Sequence, residues 1–230
     1  ETMGDAFSGA NTSDFYSFDG SWAMEGSGTV MQPGVGYITT GTIGISNSAE
    51  NRTFAGDANN GSILVNSGVA SAGYTLVGNP YPSAISATDF LAVNDDVTGS
   101  GAVEPTVWVW NHATNQSAGM NDDGDYATIN RLGAVTGGNA GVMPNGHIAS
   151  CQGFFVQAAS ASPGISFTNS MRVVGNNSQF FKQGNTENRQ RIWLNLSNDR
   201  NQSNQILIGF VEGASVDYDG MYDGDKLKGN

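Results

Sequence analysis

Thr106-Val107-Trp108-Val109-Trp110-Asn111 decides the fold class. Its side chains alternate, with Val107 and Val109 on one face and both tryptophans on the other. β-Branched and aromatic residues at period two predict a strand. The tryptophans leave two readings open. They pack against a second sheet as core, or they form an exposed platform on which sugar rings stack.

Reading outward, the same pattern recurs in short runs. Val35–Thr39, Ser62–Asn66, Gly153–Gln157 and Ile165–Phe167 each predict a strand. Tyr74-Thr75-Leu76-Val77 predicts another, stopped by the turn signal Gly78-Asn79-Pro80. Arg191–Leu196 alternates, with Ile192, Leu194 and Leu196 pointing one way. Gln205–Val211 is apolar on both faces and reads as a buried central strand. One short helix is expected over Ala87–Val93, capped by Ser86, with Asp89 near its N-terminal dipole. Asn94–Pro105, Ala113–Asp125 and Gly133–Gly146 read as long loops, where a binding surface would sit. The expectation is an all-β fold: an antiparallel β-sandwich, jelly-roll-like, with Gly/Asn/Asp-rich loops and at most one or two short helices.

Composition agrees. The chain has 230 residues, 32 Gly and 24 Asn, both poor helix formers, and only 13% charged residues. No run reaches the roughly 18 apolar residues of a membrane helix, so no such span is expected. The net charge of −12 repels phosphate backbones and argues against a nucleic-acid partner. That charge is uneven. Residues 1–171 hold 14 acids and two bases, Arg52 and Arg131, whereas residues 172–230 hold seven of each. With the strand pattern, this predicts a β-rich domain over 1–184. Residues 185–230 then begin a further β-sandwich, or supply strands that pack on the first domain. Two strands rarely stand alone, so the chain is expected to be a segment of a longer polypeptide. The single cysteine, Cys151, forms no intrachain disulfide and reads as a small buried hydrophobe.

Several motifs occur in a fixed order. Met31-Gln32-Pro33-Gly34-Val35-Gly36-Tyr37-Ile38 is followed by Asn59-Asn60-Gly61 and then by Leu76-Val77-Gly78-Asn79-Pro80-Tyr81-Pro82-Ser83-Ala84-Ile85. Next come Asp123–Asn130, Ile148–Val156 and Phe167-Thr168-Asn169-Ser170-Met171-Arg172-Val173, then Arg191–Asn195 and Gln205–Gly213. Over about residues 14 to 225 this series resembles large surface proteins of Bacteroidota. In those chains the region precedes a C-terminal type IX secretion sorting domain. Cys151 stands where that pattern has glycine, and the sorting domain itself is absent from these residues. The resemblance implies export and display outside the cell, in adhesive or gliding-associated settings, and it carries over no catalytic residue. The implied partners are other domains or copies of the same long protein, and glycans or other cell surfaces.

Three constellations could carry chemistry. Asp122, Asp123 and Asp125 lie within five residues, and Asp217, Asp219 and Asp223 form a second group. Ca²⁺ takes six to eight oxygens, and such loops supply several. The spacing is not that of an EF-hand, and a solvated turn is the other reading. Trp108 and Trp110, with Tyr81 between its two prolines, are the candidate ligand-binding residues of a carbohydrate-binding module. Paired carboxylates would instead suit a secreted hydrolase domain. The principal expectation is a non-enzymatic structural or adhesive module, with these two as alternatives.

Overall fold

The computed structural model describes residues 1–8, 15–39, 52–96, 101–110, 126–136, 143–177, 190–197, 199, 203–211, 214, 217–219 and 222–225. Among them, the first elements are helix α1 (Met3–Ala6) and strands β1 (Phe15–Phe18), β2 (Trp22–Glu25), β3 (Tyr37–Thr39), β4 (Ile63–Asn66), β5 (Tyr74–Gly78) and β6 (Ile85–Ser86). Helix α2 (Ala87–Asn94) follows, then β7 (Val103–Trp110), β8 (Tyr126–Asn130), β9 (Ala134–Val135), β10 (His147–Ile148), β11 (Gly153–Ala158), β12 (Gly164–Phe167), β13 (Gln190–Ser197) and β14 (Ser203–Phe210). Every pairing between these strands is antiparallel. The fold is all-β and sandwich-like, with two short helices.

The main sheet has the order β5-β11-β7-β8-β9, so the Trp108 strand is its middle. On one face Val103, Val107 and Val109 join Phe154, Val156 and Ile129 in the main core. This face is closed by α2, through Phe90 and Leu91, and by the β4–β12 pair, through Val65, Ile165 and Phe167. Phe90, Phe154 and Phe167 meet with ring centroids 5.1–6.3 Å apart. Helix α2 starts where its cap predicts: Ser86 Oγ accepts from Asp89 N–H at 3.1 Å. It ends beside an ion pair, Arg131 to Asp95 at 2.6 Å, which ties it to the turn after β8.

On the other face Leu76, Phe155 and Trp108 form a second cluster, with Phe18, Tyr74 and Tyr126 against it. The small sheet β2-β1-β3 adjoins the β5 edge through bridges Asp19–Thr75 and Val35–Val77. Gly36 makes this approach possible, since a Cβ there would lie 2.6 Å from Leu76 and 2.7 Å from the Val77 carbonyl.

β13 and β14 form a two-stranded sheet, so Gln205–Val211 is not the buried central strand its pattern suggests. The reason is that a strand apolar on both faces needs a layer on each. Among the described residues only one face has one. Leu132 lies over Gly209, Leu207 reaches Gly133, Thr136 N–H donates to Gln205 Oε1 at 3.0 Å, and Trp193 Nε1 donates to the Ala134 carbonyl at 3.2 Å.

Asp19 locks the join between the sheets. Its carboxylate accepts from Ser67 Oγ, from Gly68 N–H at 2.7 Å and from Thr75 Oγ1 at 2.8 Å. Burial works against the charge, but these hydrogen bonds outweigh it and hold the Asp19 pKa below the ordinary carboxylate value. A lowered folded-state pKa stabilises the fold above the unfolded pKa, and that contribution is lost as pH falls through the folded value. Asp19→Ala should therefore cost about 1–2 kcal/mol at neutral pH, toward the low end because the residue is part exposed. In urea unfolding, the gap between wild type and variant should narrow below about pH 4. A gap that stays constant down to about pH 2 would show that the carboxylate charge contributes nothing.

Candidate functional site

Three of the motifs met in order along the sequence, Asn59–Gly61, Leu76–Ile85 and Phe167–Val173, meet at Tyr81. Its ring is 1% exposed, its hydroxyl donates to the Gly61 carbonyl at 2.6 Å, and the Arg172 guanidinium lies 5.4 Å over it. Burial raises the Tyr81 phenol pKa, with Arg172 opposing. Arg172 Nε also donates to Ser83 Oγ at 3.0 Å, and Asn169 Nδ2 to Asn60 Oδ1 at 2.9 Å. Tyr81 thus has no ring face to offer a ligand. It is a peg that joins Asn60-Gly61, the Asn79–Ser83 turn and the segment ending at Arg172.

Trp108 is likewise 1% exposed, and its Nε1 donates to the Asp225 carbonyl at 3.0 Å. The sugar platform expected of Trp108 with Trp110 is corrected in that respect: both faces of the middle strand are covered at Trp108, one by the main core and the other by the tail 222–225. Trp110, two residues on, is half-buried and meets Tyr126 at 5.4 Å.

The sequence reading overlooked an aromatic surface that continues from Trp110. Tyr126 lies 5.7 Å from Phe155, and Phe155 lies 5.4 Å from Phe18 and 6.2 Å from Trp22. Trp22 is 48% exposed. A signal was present: Asp19-Gly20 between alternating Tyr16/Phe18 and Trp22/Met24 is a strong hairpin pattern. β1 and β2 pair across it, with Phe18 opposite Trp22, and Gly20 has φ 76°.

Of the acidic residues, Asp122, Asp123 and Asp125 lie outside the described residues. Asp219 and Asp223 line a cleft of about 430 Å³ with Asn130, Gln205 and Asp225. Asp217 is not in its lining. Asp223 turns back on its own loop, its carboxylate accepting from Asp219 N–H at 2.7 Å. Among the described residues no three His, Cys, Asp or Glu side chains are grouped to hold a metal ion. Burial, with Asp96 and Asp225 nearby, raises the Glu104 pKa above the ordinary carboxylate value.

Among the described residues, the outer face of the β13–β14 hairpin is an uninterrupted apolar surface. Ile192 pairs with Ile208 and Leu194 with Ile206, while Leu196 and Phe210 extend the face at either end. Their exposures run from 41% for Ile208 to 76% for Leu196. The alternation of β13 was legible in the sequence. That the face would stay open was not, because it depends on what packs above it.

The chain belongs to the DUF8693 family, described as a domain of unknown function. The match covers residues 3–230, so it includes the hairpin and its flanking segments. No curated protein and no solved structure matches the chain.

Cys151 is exposed rather than buried and borders a groove of about 470 Å³ beside Pro80 and Tyr81. Its φ of 61° is left-handed, a conformation that glycine adopts without steric cost. Cys151→Gly should leave stability unchanged or raise it by up to about 1 kcal/mol, the relieved strain set against the entropy of a freer unfolded chain. Urea denaturation checks this, and a loss above about 1 kcal/mol would mean that the thiol makes a stabilising contact.

Proposed function

We propose that the chain is a non-enzymatic structural and adhesive module of a secreted, surface-displayed bacterial protein. The observation that carries the reading is the open apolar face of β13–β14. Six aliphatic or aromatic side chains stand on one side of a two-stranded sheet, with no charge among them. Exposed contiguous apolar surface of this kind marks an interaction site. The setting outside the cell rests on the sequence resemblance to Bacteroidota type IX cargo.

The size of the face favours one occupant. Two eight-residue strands, at about 3.3 Å per residue and about 4.8 Å apart, span a planar footprint of roughly 250 Å². Stable free complexes bury about 800 Å² per partner. A second copy would need contacts beyond this face to reach that area. It suits an apolar β-layer of a neighbouring domain in the same polypeptide, where tethering supplies a high effective concentration.

Hydrogen exchange on the natural protein tests this. Amides of residues 190–197 and 203–210 should exchange about tenfold more slowly in the natural protein than in the 230-residue chain. The pair Leu194→Glu and Ile208→Glu should abolish that difference and leave the β5-β11-β7-β8-β9 sheet protected. Equal exchange in the two wild-type proteins would refute a tethered neighbour.

A further inference from the structure

The outer face of the main sheet divides into two ends. Over one end lies the tail: Trp108 Nε1 donates to the Asp225 carbonyl, Asn130 Nδ2 donates to the Tyr222 carbonyl at 2.6 Å, and Gly224 sits against Thr106. Toward the other end run Trp110, Tyr126, Phe155, Phe18 and Trp22, each within 6.2 Å of the next. Tyr16 and Met24 flank Trp22, Tyr16 at 6.5 Å and Met24 66% exposed on the same strand face.

We propose that this aromatic end binds a neutral glycan chain. Four features of the surface select that ligand. First, its exposed and half-buried groups are mainly aromatic rings, unlike the mostly aliphatic hairpin face. Tryptophan and tyrosine carry an apolar ring with a polar handle, which suits a partner that is apolar on its C–H faces and hydroxylated at its rim. Pyranose rings have that character. Second, the rings are held before binding. Trp22 meets Phe18 at 70° and Phe155 at 87°, and Tyr126 meets Phe155 at 75° and Trp110 at 68°. Side chains locked edge-to-face lose little freedom when a ligand arrives.

Third, charge excludes polyanions. No residue of the strip is charged, and the chain is −12 overall. The two bases of residues 1–171 are engaged elsewhere, Arg52 over Phe7 and Arg131 with Asp95. Among the described residues, a sulfated, phosphorylated or uronic chain would find no basic side chain within the strip. Fourth, the strip runs from Trp22 and Phe18 on β2 and β1 to Trp110 and Tyr126 on β7 and β8, with the buried Phe155 of β11 beneath its middle, and so offers a line of exposed and half-buried rings rather than a single pocket. A linear polymer fits that shape. The site differs from the Trp108/Trp110 pair of the sequence reading: Trp22 and Tyr126 replace Trp108.

Affinity electrophoresis of the natural protein in gels containing hydroxyethylcellulose, xylan, laminarin or mannan reads the binding directly. At least one polymer should retard the wild type. Trp22→Ala and Trp110→Ala should each weaken binding of the matching hexasaccharide about tenfold by calorimetry. Trp22 is half exposed but packs on Phe18 and Phe155, so Trp22→Ala should lower the melting temperature by a few degrees and keep the wild-type far-UV spectrum. If Trp110→Ala fails to fold, Tyr126→Leu takes its place, with the same loss expected. Leu194→Glu on the hairpin face should bind as wild type does, which separates this site from the docking face. No retardation by any of the four polymers would overturn the proposal. So would retardation that survives Trp22→Ala combined with Tyr126→Leu. A dimer seen by sedimentation that Trp22→Ala dissociates would make the strip a contact between copies, and that too would overturn it.

Discussion

A rigid turn that cannot satisfy its own backbone organises this molecule. Asn79-Pro80-Tyr81-Pro82-Ser83 contains two residues without an N–H, and it sits at the buried end of β5. Four carbonyls must find side-chain donors, three of them from outside the turn. Each is met by a side chain: Pro80 by Asn59 at 2.9 Å, Tyr81 by Ser150 at 2.7 Å, Pro82 by Asn177 at 3.3 Å, and Ser83 by Asn79 at 2.9 Å. The Asn79 amide, 4% exposed, also reaches the carbonyls of Ile148 and Ala149, while its oxygen accepts from Tyr81 N–H. Removing any of these side chains leaves a carbonyl without its side-chain donor in a part-buried turn, which is costly. This gives the asparagine-rich sequence a use that composition alone does not reveal.

The turn holds the loop 148–152 at the end of β11, and β11 pairs with both β5 and β7. The sheet that results has unequal faces. One is closed by α2 and the β4–β12 pair over an aliphatic and phenylalanine core. Among the described residues the other is covered in part, by the tail at one end and by β1 and β2 beside Phe155. The two surfaces left available differ in chemistry. The hairpin face is mostly aliphatic and suits another protein layer; the strip is aromatic and suits a ligand with mixed character. An adhesive module with both would attach to its own protein by one surface and to its surroundings by the other.

Much of this fold could be read from particular residues. Ser86 with Asp89 marked the start of α2, and Gly78-Asn79-Pro80 marked the end of β5, because caps and turns depend on neighbours two or three positions away. Alternation located β7, β11 and β13, since period two is a property of the strand itself. The candidate site was legible only in fragments. Trp110 was read correctly as lying on the face opposite Val109. The other rings of that strip, Phe155 and Trp22, come from strands 45 and 88 positions distant in sequence, and no local pattern links them. Trp108 misled because a strand pattern tells which face a side chain takes, not what covers that face.

Sequence by itself determined the all-β class, the turn chemistry and the division of each strand into two faces. These follow from backbone geometry and short-range hydrogen bonding, which act within a few residues. Tertiary structure decided which faces are covered. It buried Tyr81 and Trp108, left the Ile192 and Ile208 side open, turned Cys151 outward at a left-handed φ, and joined rings from five strands into one surface. Burial is a sum over long-range contacts, so it is fixed only when distant segments meet.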